Sequence, residues 1–500
     1  MHRKTFNLLF ASGVLGSFAL VVACGDSGGN DDETGITVTL DDDGIDDGID
    51  DGPEDDTIGG ESSETDGCPP GGCLDMEEET STGNQGSCAS GDGECNKIDL
   101  LFVIDNSGTM GEEQVNLSAN FPLLIDKLEE LEDAEGNLLV PDVNIMVTTT
   151  DLGHPSCTQF ELPGYDPAQG APINTACTTR IDQFTGLGDN PPSFPQACTD
   201  ACPVAIEPNG NFIHFEGDDT NVPGDNIQGA LSCIGPQGIA GCGYEAPLEA
   251  MLQAINPGAQ WNQGNEPFLR DGAVLAVAIV TDEADCSVRS PNGYAYFTDS
   301  NNDEFWETNP ATMTPQATSA VCWNAGVECG EPDMNGVYAD CNSVDNGVLH
   351  PLTRYLDYLQ NDLIAGQNKE VIMLGILGVP VVTENNDEVP FEPIAGGVMD
   401  LVYREWNGAP YPDGDILPGD PGTAESKKFE FSIGPGCTGE DGMGGFTGQA
   451  IPPVRVKEVC EALNTEDRVR CCIESVCDTD FSDAIGCLTG AIQQSFQPIG

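Results

Sequence analysis

The sequence predicts an α/β domain: an open, mostly parallel sheet with helices on both faces, long cysteine-rich insertions and an acidic leader. Three observations carry this. Near-continuous apolar runs of strand length alternate with amphipathic helical stretches beyond residue 96. Between these elements lie long segments rich in Gly, Pro and Cys. Ahead of them, residues 25–95 hold 23 acids and no Lys or Arg.

Taken in order, residues 1–24 read as an export signal. His2, Arg3 and Lys4 give a basic start, and the apolar stretch 8–22 falls short of the ~20 apolar residues that span a bilayer. Residues 25–95 include Asp41-Asp-Asp-Gly-Ile-Asp-Asp-Gly-Ile-Asp-Asp-Gly-Pro53. Such a composition cannot bury a core and predicts a disordered, self-repelling tether. The folded part is then 96–500. Residues 98–104 are a buried strand, and 114–131 a helix with Val115, Leu117, Phe121, Leu124 and Leu128 on one stripe. A second strand covers 144–150. Residues 244–255 are helical, with Pro247 tolerable only in the first turn. Strands at 273–281 and 370–377, and helices at 349–363, 454–463 and 481–494, complete the alternation. Segments 155–242, 287–345 and 380–453 break the rhythm and read as disulfide-braced insertions.

Of 21 cysteines, setting Cys24 aside leaves an even 20, so an exported chain could form up to ten disulfides. Cys88–Cys95 and Cys322–Cys329 are candidate short-range closures. Zinc is the weaker use, with four histidines and no paired C-x-x-C motif. The net charge is −69; residues 96–500 alone set 14 basic against 62 acidic residues, giving −48. That surface repels nucleic acid and anionic lipid and attracts divalent cations. Nucleic-acid binding is excluded.

Two strands end in acids, Phe102-Val-Ile-Asp105 and Ile279-Val-Thr-Asp282, and ligands of an open parallel sheet bind at the carboxyl ends of its strands. Asp105-Asn-Ser107-Gly-Thr109 offers a carboxylate and two hydroxyls at alternate positions before a helix. Oxygen-only donors suit a hard cation: Mg²⁺, Mn²⁺ or Ca²⁺. The plain alternative is a strand-terminal cap followed by turn chemistry, which leaves Asp282 unexplained.

These residues resemble the von Willebrand factor A (vWA) domain, a Rossmann-like fold, and its metal-ion-dependent adhesion site (MIDAS). The family's Asp-x-Ser-x-Ser matches Asp105, Ser107 and Thr109, and its later Thr-Asp pair matches Thr281-Asp282. The resemblance spans roughly 96–153, 243–286, 346–379 and 454–495. It departs at the family's middle threonine, whose place falls at about Tyr244; Glu245 is the candidate replacement. Met110-Gly-Glu-Glu113 also resembles the integrin β spacing, which implies an adjacent metal at Glu112 and Glu113. The plainer reading, which the position favours, is acids complementing a helix dipole. Asp151, Glu283 and Asp285 sit near strand ends and fit supporting or surface roles. The resemblance implies a binding protein, not an enzyme, whose partner (a protein or polysaccharide) completes the metal's coordination with an acidic group.

Val21-Val-Ala-Cys24 resembles the lipobox of bacterial lipoproteins, implying a membrane anchor through lipidated Cys24. Gly25, by likeness to enteric sorting rules, favours the outer membrane of a Gram-negative cell envelope. Two readings of other kinds compete. A structural envelope protein would carry the same site in degenerate form. A haloacid-dehalogenase-like phosphatase is suggested by the strand-then-Asp motif, but Ser107 stands where that family has its acid. No lysine falls between Lys127 and Lys369 to neutralise phosphate. Asp282-Glu-Ala-Asp285 spells a helicase tetrapeptide without any phosphate loop, and Ser107 lacks a Gly-x-Ser-x-Gly elbow.

Overall fold

The computed structural model describes residues 96–133, 136–186, 191–440 and 445–496. The signal at 1–24, the lipidation site Cys24, the acidic tether 25–95 and the pair Cys88–Cys95 lie outside them. In chain order the main elements are β1 (Lys97–Ile104), α1 (Gly111–Glu129), β2 (Asp142–Thr149), β3 (Ile213–Glu216), β4 (Asp219–Thr220), α2 (Ile227–Ile234) and α3 (Pro247–Ala254). There follow β5 (Val274–Val280), α4 (Thr353–Leu356, continued in wider π winding through Asp357–Gly366), β6 (Val371–Leu377), α5 (Val454–Glu461), β7 (Cys471–Ser475) and α6 (Ser482–Ser495).

The strands form one seven-stranded sheet in the order β7-β6-β5-β1-β2-β3-β4. Neighbours from β7 to β2 are parallel, while β3 and β4 run antiparallel at one edge. The runs of β1, β5 and β6 are apolar throughout, apart from Lys97 and Asp99 near the start of β1, because both faces are covered. Alternation sorts their side chains. Leu100, Phe102 and Ile104 pack with Leu117, Phe121 and Leu124 of α1 and Leu488 of α6. Leu101 and Val103 pack with Leu248 and Met251 of α3, Leu359 of α4 and Val459 of α5. Pro247 occupies the first turn of α3, where its missing N–H costs no hydrogen bond.

Three strands escape the sequence expectation, the two-residue β4 among them beside β3. β3 lies inside the expected insertion 155–242, as does α2, which packs against α1; that segment therefore finishes the sheet as well as decorating it. β7 follows a turn in Cys471-Cys-Ile-Glu-Ser475, too short and too polar to read as a run. Its adjacent cysteines point to opposite faces, as period two requires. Cys471 is bonded to Cys460 of α5, and Cys472 to Cys487 of α6.

Among the described residues there are eight disulfides, and every cysteine there is paired. The expected Cys322–Cys329 closure is not among them. Cys322 reaches back to Cys286 just beyond β5, and Cys329 closes on Cys341. The reason is geometric: Cys322 sits in the helix Ala320–Gly326, which packs onto the chain leaving β5, whereas Cys329 and Cys341 lie just inside the antiparallel pair Val327–Glu328 and Asn342–Ser343, which brings them together. The rest of 287–345 and 380–453 forms small two-stranded hairpins and short helices. Among the described residues no helix is long and apolar enough to cross a membrane.

Candidate metal centre

From β1 the chain builds outward through β2 and β3 in one direction, and from β5 through β6 and β7 in the other. The order reverses between β1 and β5, so their carboxyl ends border the crevice where such sheets take ligands. Ile104 and Val280 are in register, and the Asp105 N–H donates to the Val280 carbonyl at 2.9 Å. Asp105 and Thr281-Asp282 thus leave the sheet side by side.

Asp105 is fully buried. One carboxylate oxygen accepts the Ser107 N–H at 2.7 Å, the other the Thr281 hydroxyl at 2.6 Å. The Asp105 carbonyl accepts from Gln114 Nε2 at 2.7 Å, which ties the loop to the first turns of α1. The Ser107 and Thr109 hydroxyls lie 3.2 Å apart. Ser107 is buried and Thr109, with Gly108, is exposed, so the crevice opens there. Asp282 is 5% exposed, and its Oδ1 has no hydrogen-bond partner among the described residues. Burial, then the neighbouring charge of Asp105, pushes its carboxyl up to about 8, against a hydrogen bond from Thr109. Burial lifts Asp105 itself to about 6, although the Thr281 and Ser107 bonds oppose this.

Glu245 is fully buried just ahead of α3. One oxygen accepts the Thr150 hydroxyl; Oε1 has no partner among the described residues. Burial, then the charges of Asp105, Asp151 and Glu283, hold it well above the usual carboxylate range. It faces the crevice but hydrogen-bonds Thr150 rather than any motif residue. Glu112 and Glu113 part company. Glu112 is half-buried at the start of α1, in keeping with a dipole role. Glu113 is buried, its Oε2 is unpartnered, and burial together with the charge of Asp282 raises it strongly. A hairpin of the last insertion, Cys437–Glu440 with Phe446–Ala450, lies over this side. A Cβ at Gly448 would come 3.3 Å from Glu113 Oε1, and the Ile451 N–H donates to the Asp282 carbonyl at 2.7 Å.

Asp151, Glu283 and Asp285 are all buried, which removes the surface role from each. Asp285 turns away to Arg455, Oδ2 to Nε 2.8 Å. Glu283 stays, raised by burial and by Asp282 and Asp105. Asp151 anchors a chain the sequence does not announce. Its Oδ2 accepts from the Tyr165 hydroxyl at 2.7 Å and from the Cys242 N–H at 3.1 Å, and the Tyr165 oxygen accepts from Asn106 Nδ2 at 2.9 Å. The motif loop is thereby braced by the first insertion, whose ends the Cys157–Cys242 disulfide joins. Tyr165 carries no local signal; Thr281 was visible only as half of the Thr-Asp pair.

No ion pair among the described residues involves Asp105, Glu113, Glu245, Asp282 or Glu283. No three His, Cys, Asp or Glu side chains among those residues are grouped to chelate an ion by themselves. The immediate donors are instead two carboxylates and two hydroxyls, and the buried, unpartnered Asp282 Oδ1 fits a hard cation. No protein-family model, curated protein or solved structure matches the chain.

Proposed function

We propose that the crevice at the ends of β1 and β5 holds a divalent cation, Mg²⁺, Mn²⁺ or Ca²⁺, and that the chain is a vWA-type protein binding its partner through that cation. The observation that carries this is the buried Asp282 oxygen beside Asp105, unpartnered among the described residues, with the Ser107 and Thr109 hydroxyls adjacent and no Lys or Arg of those residues paired with any of them. Burying carboxylates without a counter-charge costs several kcal/mol each. A cation would remove that cost. The sheet order, with an antiparallel strand beyond β2, supports the vWA reading.

Asp105, Ser107, Thr109 and Asp282 would hold the ion, with Glu245 and Glu113 supplying negative charge around it. When bound, the cation supplies an electrophilic centre for an acidic oxygen. The exposed Gly108 and Thr109 are where a protein or polysaccharide partner would bring that oxygen. A binding role rather than phosphatase chemistry is supported by Lys369. It sits at the opposite, amino end of the strands, with Nζ 3.7 Å from Asp99 near the start of β1. Anchoring by a lipid on Cys24 at the outer membrane belongs to the same proposal and rests on the sequence of the leader.

The near-complete burial of the donors favours a second reading, a structural cation in an envelope protein whose insertions make the contacts. Calorimetric titration of the oxidised protein with Mn²⁺, Mg²⁺ and Ca²⁺, beside Asp105→Ala, tests the site. Saturable binding lost in the variant is expected. Equal heats from both proteins would reduce the effect to condensation on an acidic surface and sink the assignment. Partner capture that survives chelation would leave the structural reading.

A further inference from the structure

Among the described residues, twelve large apolar side chains are exposed, and five of them fall between positions 381 and 402: Val381, Phe391, Ile394, Met399 and Val402. The segment is not a loose loop. It leaves the end of β6 and folds as the antiparallel pair Val382–Asn385 and Pro393–Gly396. It then turns through Gly397–Asp400 against the edge strand β7. Asn385 Nδ2 donates to Glu474 Oε1 of β7 at 3.1 Å, and the Phe391 ring abuts Gly490 of α6. The Gly397 N–H reaches the Val381 carbonyl at 3.4 Å, which sets Val381 beside the turn that carries Met399. Five of twelve exposed large apolar side chains gathered on one anchored segment depart from the single, scattered ones of an ordinary surface, and clustering of exposed apolar area marks interaction sites.

Charge selects the occupant. Between 380 and 403 there is no Lys or Arg, while Glu384, Asp387, Glu388 and Asp400 are exposed. A second copy would bring its own net −48 against this face, and residues 25–95 have no basic residue to offer. An anionic bilayer is repelled for the same reason. What fits is the opposite chemistry. We infer that the 381–402 face docks a cationic, amphipathic polypeptide segment of another protein. Its apolar side chains would rest on Val381, Phe391, Ile394, Met399 and Val402, and its Lys or Arg would meet the flanking carboxylates. Depletion of charge at the core of an interface, with charge at the rim, is the common arrangement. This inference does not depend on the cation site.

The test uses the full oxidised chain and synthetic peptides: alternating Lys-Leu, alternating Lys-Ser of equal charge, and alternating Glu-Leu. Binding is read by fluorescence anisotropy in chelator. The expected result is Lys-Leu binding about tenfold tighter than Lys-Ser, an advantage worth ~1.4 kcal/mol. The double variant Ile394→Ser/Met399→Ser should lose that advantage while keeping the wild-type melting midpoint. Glu384→Gln/Glu388→Gln/Asp400→Asn should weaken Lys-Leu binding and lessen its salt dependence. Equal Lys-Leu affinity for wild type and the Ser variant would overturn the proposal, because only bulk attraction to an acidic chain would remain. So would Glu-Leu binding as tight as Lys-Leu. Self-association, or binding to phosphatidylcholine vesicles, that the Ser variant abolishes would overturn it in favour of a second copy or a lipid surface.

Discussion

The amino and carboxyl edges of the central sheet, where its strands begin and end, set two groups of buried acids in different surroundings. At the amino edge Asp99 is fully buried, yet Arg270 Nε lies 2.7 Å from it and Lys369 Nζ 3.7 Å away. Arg270 also pairs with Asp142 and donates to the Ile98 and Asp142 carbonyls at 2.9 and 3.0 Å. Burial raises the Asp99 carboxyl, and both cations pull against that. At the carboxyl edge Asp105, Glu113, Glu245, Asp282 and Glu283 are buried together with no such partner among the described residues. One fold therefore matches Asp99 with arginine and lysine, and Asp285 beyond β5 with Arg455, yet leaves the five crevice acids without a cation among the described residues. Those five acids are the charge that the proposed cation would meet.

The largest effect should come from breaking the matched edge. Arg270→Ala leaves Asp99 and Asp142 short of their main partner, with an expected loss of about 3–5 kcal/mol in urea unfolding. A loss below ~1 kcal/mol would mean that the pairing is ornamental and the contrast between the edges empty.

The unmatched edge should show itself through pH. Asp282 at about 8 and Asp105 at about 6 keep protons in the folded chain that the unfolded chain has shed above pH ~4. The folded state then binds more protons, so stability in chelator falls as pH rises from about 4 through 8. The slope is up to ~1.4 kcal/mol per pH unit for each extra proton. Saturating Mn²⁺ should flatten or reverse it, since the donors must be deprotonated to bind metal. Melting curves of wild type and Asp282→Asn across that range give the answer; identical slopes in the two proteins would refute the link.

Tyr165→Phe should be the mildest change. It removes the hydroxyl joining Asn106 to Asp151, at about 1–2 kcal/mol of stability. Mn²⁺ affinity should drop about 10-fold or more, as when outer partners of metal ligands are removed. Unchanged affinity in a destabilised protein would make Tyr165 a packing residue and nothing else.

The central strands were legible because burial on both faces writes itself as a near-continuous apolar run in β1, β5 and β6, interrupted in β1 by Asp99. The motif at Asp105 to Thr109 was legible because a strand end fixes its spacing. β3 was not, since Ile213-His-Phe-Glu216 is a short alternating edge inside a cysteine-rich stretch. β7 was hidden because its side chains are held by disulfides as much as by apolar packing. Within the site, Glu113 read as a helix-dipole acid and Glu283 as a supporting or surface one, for burial beneath an insertion 300 residues or more along the chain from Glu113 leaves no local trace. Tyr165 belongs to the same class, a contact made only by tertiary closure.

Cys471 and Cys472 have a consequence beyond holding two helices. Because one strand is riveted to α5 on one face and to α6 on the other, a cut in the turn 464–470 leaves the pieces joined through Cys460–Cys471. A cut at 476–481 leaves them joined through Cys472–Cys487. The last fifty residues can be nicked at either turn without coming apart until a reductant arrives.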